Sequence, residues 1–375
     1  GAATVGVELD GVLLAGDLVN VPDRASDWFD SAAGPAFFAT MTGRAHGQVA
    51  GHTWRGAPLL QHTPLFPVIG NHEVMGRWSD TATLTEQFHD TRPDDWDVTT
   101  YEELFPLPAS PAGGPRWWSR TIGDVHVIAL FATRMWQSDE RTFQETPADL
   151  AHPRRWGRGQ FPFAPLGPDS AQYRWLEREL AAPACRAARL RVVMFHHPSH
   201  GLGRHSAPAY TDPVSTVGHD PHNGAVTSVR YDYPLAADVI LVHLEPLLSR
   251  AGVHLVLNGH SHVWNRFRNS AGVHWLETSN VGNSYGAYHR SSGLTRPVPP
   301  GPDYPPQGDP GGLDPIVPTV APLTDTAGTP LPYLSSNTIT AFSILDSAAA
   351  VVRSYRFDTT RPESDAVLFD EFSLR

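Results

Sequence analysis

The chain has 375 residues, 41% of them hydrophobic and 18% charged, with a formal net charge of −11. That length is ample for a large core, and no apolar run approaches the roughly 18 residues that a membrane span needs. Every basic residue apart from His is Arg, and the acidic balance excludes a general nucleic-acid binder, which needs a basic footprint.

In chain order, the first apolar run is Val12-Leu13-Leu14, which leads into Gly16-Asp17-Leu18-Val19-Asn20. Leu65 to Ile69 leads into Gly70-Asn71-His72-Glu73, and Leu190 to Phe195 into His196-His197-Pro198. Val253 to Leu257 leads into Asn258-Gly259-His260-Ser261-His262. Each run is short and ends at Gly, Asn or His, the pattern of a buried strand followed by a loop. Val125 to Phe131 also has strand length. Ligands placed just past such strands meet at one edge of an open α/β sheet.

Asp169-Ser170-Ala171-Gln172 reads as a capping box, with Asp169 as N-cap. Tyr173, Leu176 and Leu180 then share one helix face, and Pro183 ends the helix. Leu235 to Leu248 is a weaker helix, interrupted by Pro246. Residues 132–168 show no period, and residues 291–335, dense in Pro and Gly, are expected to be a surface loop, with a flap over the active site as the other reading. Ile339 to Leu345 and Ala350 to Phe357 read as two strands around a turn near Asp346-Ser347. The expected organisation is one domain over 1–375: a core over 1–290, an insertion over 291–335 and closing strands over 336–375. Cys185, the single cysteine, is expected to be a small buried apolar residue.

The chemistry lies in the strand-end blocks. Asp after Gly is often only a turn former. Asn beside His makes a poor core pair, and two His residues two apart on extended chain point the same way. All four blocks together supply Asp, Asn and His side chains suited to a divalent metal over a phosphate.

On these residues the sequence resembles the calcineurin-like metallophosphoesterases, the superfamily of purple acid phosphatases, Ser/Thr phosphatases and nucleotidases. The resemblance implies an α/β fold of two packed mixed β-sheets flanked by helices, a four-layer sandwich, with two divalent metal ions at the strand ends. By position it makes Asp17 the bridging carboxylate, and Asn71, His196 and His260 the ligands that complete the second metal site. His262 becomes a ligand of the first, and His72 the acid that assists the leaving group. His197 is given a packing or supporting role. The implied reaction is hydrolysis of a small or exposed phosphoric ester, mono- or diester, by a metal-bridging hydroxide. Oxygen and imidazole ligands without thiolate suit Mn²⁺, Fe²⁺, Zn²⁺ or Co²⁺.

Two departures stand out. The family's opening Asp-x-His or Asp-x-Gly strand has no counterpart, because Asp10, the one Asp ahead of Asp17, precedes its strand and belongs about 20 Å from the site at strand rise. The first metal site is therefore expected to be weak. The chain opens on Gly1 without a signal-peptide pattern, and its first residues read as domain interior, so missing N-terminal sequence is the preferred explanation. Natural loss of the site is the other, and with it a phosphoesterase-fold binding protein with one complete metal site. Asn20 stands where purple acid phosphatases carry a Tyr, and it has no anionic oxygen for Fe³⁺. Arg77 is a candidate phosphate clamp, and Trp117, Trp118 and Trp136 are expected in packing. His200, His205, His219 and His222 are expected on the surface of a loop. His289 and Asn283 follow the last block without an assigned role.

Overall fold

The computed structural model describes residues 6–29, 36–74, 97–135, 161–162, 164–203, 214–232, 234–296 and 305–375. Arg77, Trp136 and His205 lie outside these, as does most of 132–168.

The centre is a seven-stranded mixed sheet. Its order across the sheet is Tyr333–Leu334, Trp264–Arg268, His274–Thr278, Leu255–Asn258, Leu190–Met194, Val125–Ala129 and Trp118–Ile122. The middle strands Leu255–Asn258, Leu190–Met194 and Val125–Ala129 run parallel. Their apolar runs lack polar alternation because both faces are covered. Val193 and Phe195 point into one core with the helix residues Trp175, Leu176 and Leu180. Leu190, Val192 and Met194 point into another with Trp264, Val352, Phe369 and Phe372. The second core is closed by an antiparallel sheet of Ile339–Asp346, Val351–Asp358 and Val367–Ser373. The expected α/β arrangement of packed sheets with flanking helices is thus present.

Val12–Leu14 pairs in parallel with Leu65–Pro67 as a separate ribbon. This pairing aligns the ends of the two strands, so the Asp17 and Asn71 blocks leave side by side. Asp10 is exposed and precedes its strand, at the end away from Asp17.

Several local expectations are corrected. The helix Ala171–Ala181 is capped by Ser170, whose Oγ accepts from Tyr173 N–H at 3.0 Å. Asp169 is one residue too early, because Ser170 is the residue in extended backbone (φ −80°, ψ 153°) that a cap requires. Gln172 instead turns inward, accepting from Phe131 N–H at 2.6 Å and donating to Phe131 O at 3.1 Å. The weaker helix splits into a π-turn, Ile240–Leu244, and an α-helix, Glu245–Arg250, with Pro246 in the first turn, where its missing N–H is harmless. The loop after His200 contains a hairpin, Val214–His219 with Val226–Asp232, on which His219 is exposed; His222 is exposed in its turn. The Pro/Gly-rich stretch holds the short strands Leu323–Thr324, Pro330–Leu331 and Tyr333–Leu334, the last of which joins the main sheet. The third closing strand, Val367–Ser373, was not expected.

Two buried ion pairs fasten distant segments. Arg266 donates from Nε and Nη2 to both Asp370 oxygens at 2.9 and 3.0 Å, which ties the two sheets together. His200 is 2% exposed, not on the surface as its loop composition suggested. Its Nδ1 lies 2.7 Å from Asp309 Oδ2 and its Nε2 3.1 Å from Glu245 Oε2. Burial opposes the charged ring, but the two carboxylates outweigh it and push His200 up from 6.5 to about 10. A pKa raised in the folded state stabilises fully below 6.5, and the contribution fades as pH rises through about 10. The Tm gap between wild type and His200→Gln is therefore expected to be widest below pH 6.5 and to close toward pH 10. A gap that stays constant across that range would contradict the charged ring.

Candidate metal centre

The Gly16-Asp17 and Gly70-Asn71 turns are pressed together. A Cβ on Gly70 would sit 2.5 Å from Asp17 N, and one on Gly16 2.7 Å from His196 Nδ1 and Gly70 N, so neither position admits a larger residue. Gly16 also has φ +86°, which glycine adopts without strain. Glu73 fastens both turns. Its Oε2 accepts from Asp17 N–H and Gly70 N–H, and its Oε1 from Leu18 N–H, each at 2.8 Å. Burial and the nearby Asp17 charge raise Glu73 above the ordinary carboxylate value, while these N–H donors pull it back down.

His196 is the hub. Its Nδ1 faces Ala15 O at 2.6 Å, so a neutral ring carries its proton there and turns the Nε2 lone pair inward. Around Nε2 stand Asp17 Oδ2 at 3.1 Å, Asn71 Oδ1 at 3.0 Å and His260 Nδ1 at 3.1 Å. His260 Nδ1 and Asn71 Oδ1 are 2.8 Å apart. Ligand atoms held about 2.1 Å from one ion at right angles lie about 3 Å from each other. The donor set therefore fits a divalent cation. With protons alone, burial works against a charged His196, but the Asp17 carboxylate raises it regardless. The same pair lowers Asp17 in spite of burial.

His262 lies close enough for the charges of Asp17, His72 and His196 to act on it, and its Nδ1 faces Asn283 O at 2.7 Å. Burial lowers its pKa and keeps the ring neutral, the state a metal requires. The Tyr285 ring lies 5.1 Å away, exposed. His72 Nδ1 faces Asn20 O at 2.8 Å, and its backbone N–H donates to Asp17 Oδ1 at 3.0 Å. His197 is buried and stacks on His260 at 3.8 Å, with Nδ1 2.9 Å from Thr133 Oγ1. Nitrogens of His196, His197 and His260 come within 4.8 Å of one another.

Asp17, Asn71, His196 and His260 thus meet directly past the strand ends of the ribbon and the central sheet, His72 joins them through its backbone N–H, and His262 lies close enough for their charges to act on it. Asp17, His260 and His262 have φ of 57°, 77° and 57°, a left-handed backbone that is costly for residues other than Gly and concentrates at functional sites. Trp117 and Trp118 are buried and pack, whereas Asn283 serves through its carbonyl and His289 pairs with Ser291. Sequence reading gave Glu73 no task and missed Glu277, whose carboxylate accepts from Ser261 behind the His260 loop. The signal for Glu277 was a lone acid ending the mostly apolar run Val273-His274-Trp275-Leu276.

Glu73→Gln sets an amide N–H against one of the three backbone donors. It is expected to cost about 1–3 kcal/mol in urea unfolding. A midpoint and slope equal to wild type would remove the tie between the two turns from the account.

A search of curated proteins gives no match. Among solved structures, the purple acid phosphatase PPD1 from yellow lupin (Lupinus luteus) seeds shares 14% identity at a TM-score of 0.40. That likeness covers 84% of this chain and 41% of the lupin chain. GAP50, the anchor in the inner membrane complex of Plasmodium, shares 11% at 0.31, over 82% of this chain and 66% of its own. PhoD shares 12% at 0.39, over 97% and 67%. The chain spans about two fifths of the lupin protein. The profile described as calcineurin-like phosphoesterase matches residues 6–264, well over half of the chain and every candidate site residue. The chain belongs to the calcineurin-like phosphoesterase family, to which the resemblance of its strand-end blocks already pointed.

Proposed function

We propose that the chain hydrolyses phosphoric esters with the help of divalent metal ions. Asp17, Asn71, His196 and His260 hold one ion, Asp17 and His262 bind a second, and His72 assists the leaving group. The observation that carries this is the convergence of Asp17 Oδ2, Asn71 Oδ1 and His260 Nδ1 on His196 Nε2 within 3.1 Å.

When bound, such ions lower the pKa of water and polarise the ester oxygens. The protein's own groups do the rest. Ala15 O and Asn283 O fix the tautomers of His196 and His262, so both present a basic Nε2. Asn20 O fixes His72 in the same way, so Nε2 is the atom at which it receives a proton and passes it to the departing oxygen. His197 supports His260 by stacking. Oxygen and imidazole donors suit Mn²⁺, Fe²⁺, Zn²⁺ or Co²⁺. The first site, drawing on Asp17 and His262, is the weaker.

The substrate is a small or exposed mono- or diester, and the net charge of −11 disfavours general nucleic-acid binding. No helix among the described residues is long and apolar enough to cross a membrane. A second reading, a binding protein with one complete metal site, draws on the exposed position of Asp10 away from Asp17.

Hydrolysis of p-nitrophenyl phosphate and its bis ester with added Mn²⁺ separates the two. His72→Ala is expected to lose roughly 10²–10⁴-fold in kcat with metal content retained. Asn71→Ala is expected to lose metal. Equal rates in wild type and both variants would overturn the site, and absence of turnover in a metal-loaded wild type would favour the binding protein.

A further inference from the structure

We propose that Glu277 is a positioning residue: through Ser261 it fixes the backbone of His260 and His262, and so sets how tightly the chain holds metal. This rests on the metal-site reading above.

Glu277 is 1% exposed, on the strand His274–Thr278. A carboxylate there is costly unless its oxygens are satisfied. Its partners all belong to the His260 loop or to the hairpin that carries it. Oε1 accepts from Ser261 N–H at 2.8 Å and Ser279 Oγ–H at 2.6 Å. Oε2 accepts from Ser261 Oγ–H at 2.5 Å and Asn265 Nδ2–H at 3.3 Å. Burial pushes this carboxyl up to about 7, while the donors aimed at it pull it back down.

Ser261 sits between His260 and His262, whose φ values are 77° and 57°. Such a conformation is strained in a residue other than glycine and persists only where its surroundings over-determine it. The two-point grip on Ser261 is what over-determines it. Val263 N–H donates to Ser279 Oγ at 3.1 Å, which closes the loop on its far side. Gly203 packs against Ser261 so closely that a Cβ there would collide with the Ser261 side chain and carbonyl. The network also reaches the other His-bearing segment, because Asn265, the cross-strand neighbour of Glu277, accepts from Leu202 N–H on Oδ1 at 2.7 Å. One buried carboxylate thus braces the loop bearing His260 and His262 and the segment that follows His196.

Glu277→Gln keeps the shape but replaces one acceptor oxygen with a donor. Titration calorimetry with Mn²⁺ on wild type, Glu277→Gln, Ser261→Ala and Asn71→Ala tests the proposal. It is run well below each Tm, with circular dichroism confirming the fold. Glu277→Gln is expected to bind Mn²⁺ about 10–100-fold more weakly, and Ser261→Ala more weakly by a smaller factor. Loss of stability alone would lower Tm without changing Kd. A wild-type Kd in Glu277→Gln, while Asn71→Ala loses binding, would overturn the proposal and leave the metal site standing. If Glu277→Gln does not fold, an unchanged Kd in Ser261→Ala overturns it. Absence of Mn²⁺ binding by wild type, or wild-type binding by Asn71→Ala, would remove the site itself and the proposal with it.

Discussion

Asp17 Oδ2, Asn71 Oδ1 and His260 Nδ1, each about 3 Å from His196 Nε2, crowd electron-rich atoms around it, and such atoms repel unless positive charge lies among them. That constraint, centred on His196 Nε2, governs the rest of the site. A single proton cannot satisfy three neighbours at once, whereas a divalent cation can. The parallel ribbon, the glycine turns and the left-handed residues act together to keep the four atoms in this otherwise unfavourable arrangement.

The bracing comes from behind. Glu73 grips the turns of Asp17 and Asn71, and Glu277 grips the loop of His260 and His262. Each is 1% exposed, and each accepts from backbone N–H groups of the loops, three for Glu73 and that of Ser261 for Glu277, which would otherwise be unsatisfied. Ala15 O and Asn283 O add the finer control, choosing which ring nitrogen of His196 and His262 is basic.

Much of this was legible in the chain. Apolar runs ending in Gly, Asn or His mark strand ends, and strands ending at one edge bring their next residues together, so the grouping of Asp17, Asn71, His196 and His260 followed from local pattern. The closing strands Ile339–Asp346 and Val351–Asp358 were equally plain. What escaped depends on partners far along the chain. His200 looked like a loop residue because nothing local reveals Asp309, 109 residues away. Val367–Ser373 carries Asp370 and Glu371, which weaken its strand pattern, and the buried Asp370 is explained by Arg266 and Thr319, both distant in sequence. Ser170 and Asp169 are both good caps, so a choice between neighbours turned on backbone angles that composition does not encode.

The pairing of Arg266 with Asp370 separates two boundaries usually taken as one. Recognisable family sequence stops at residue 264, on the first residue of the strand that carries Arg266. Electrostatic neutralisation of that guanidinium is supplied from the final strand, which also accepts from Thr319 at Asp370 Oδ1. The histidine loop is therefore anchored, through the strand that follows it, to a segment beyond the residues the family model matches. Without Asp370 the Arg266 guanidinium would be left as an uncompensated charge in the interior, so the last strand is tied to the site by charge as well as by apolar packing.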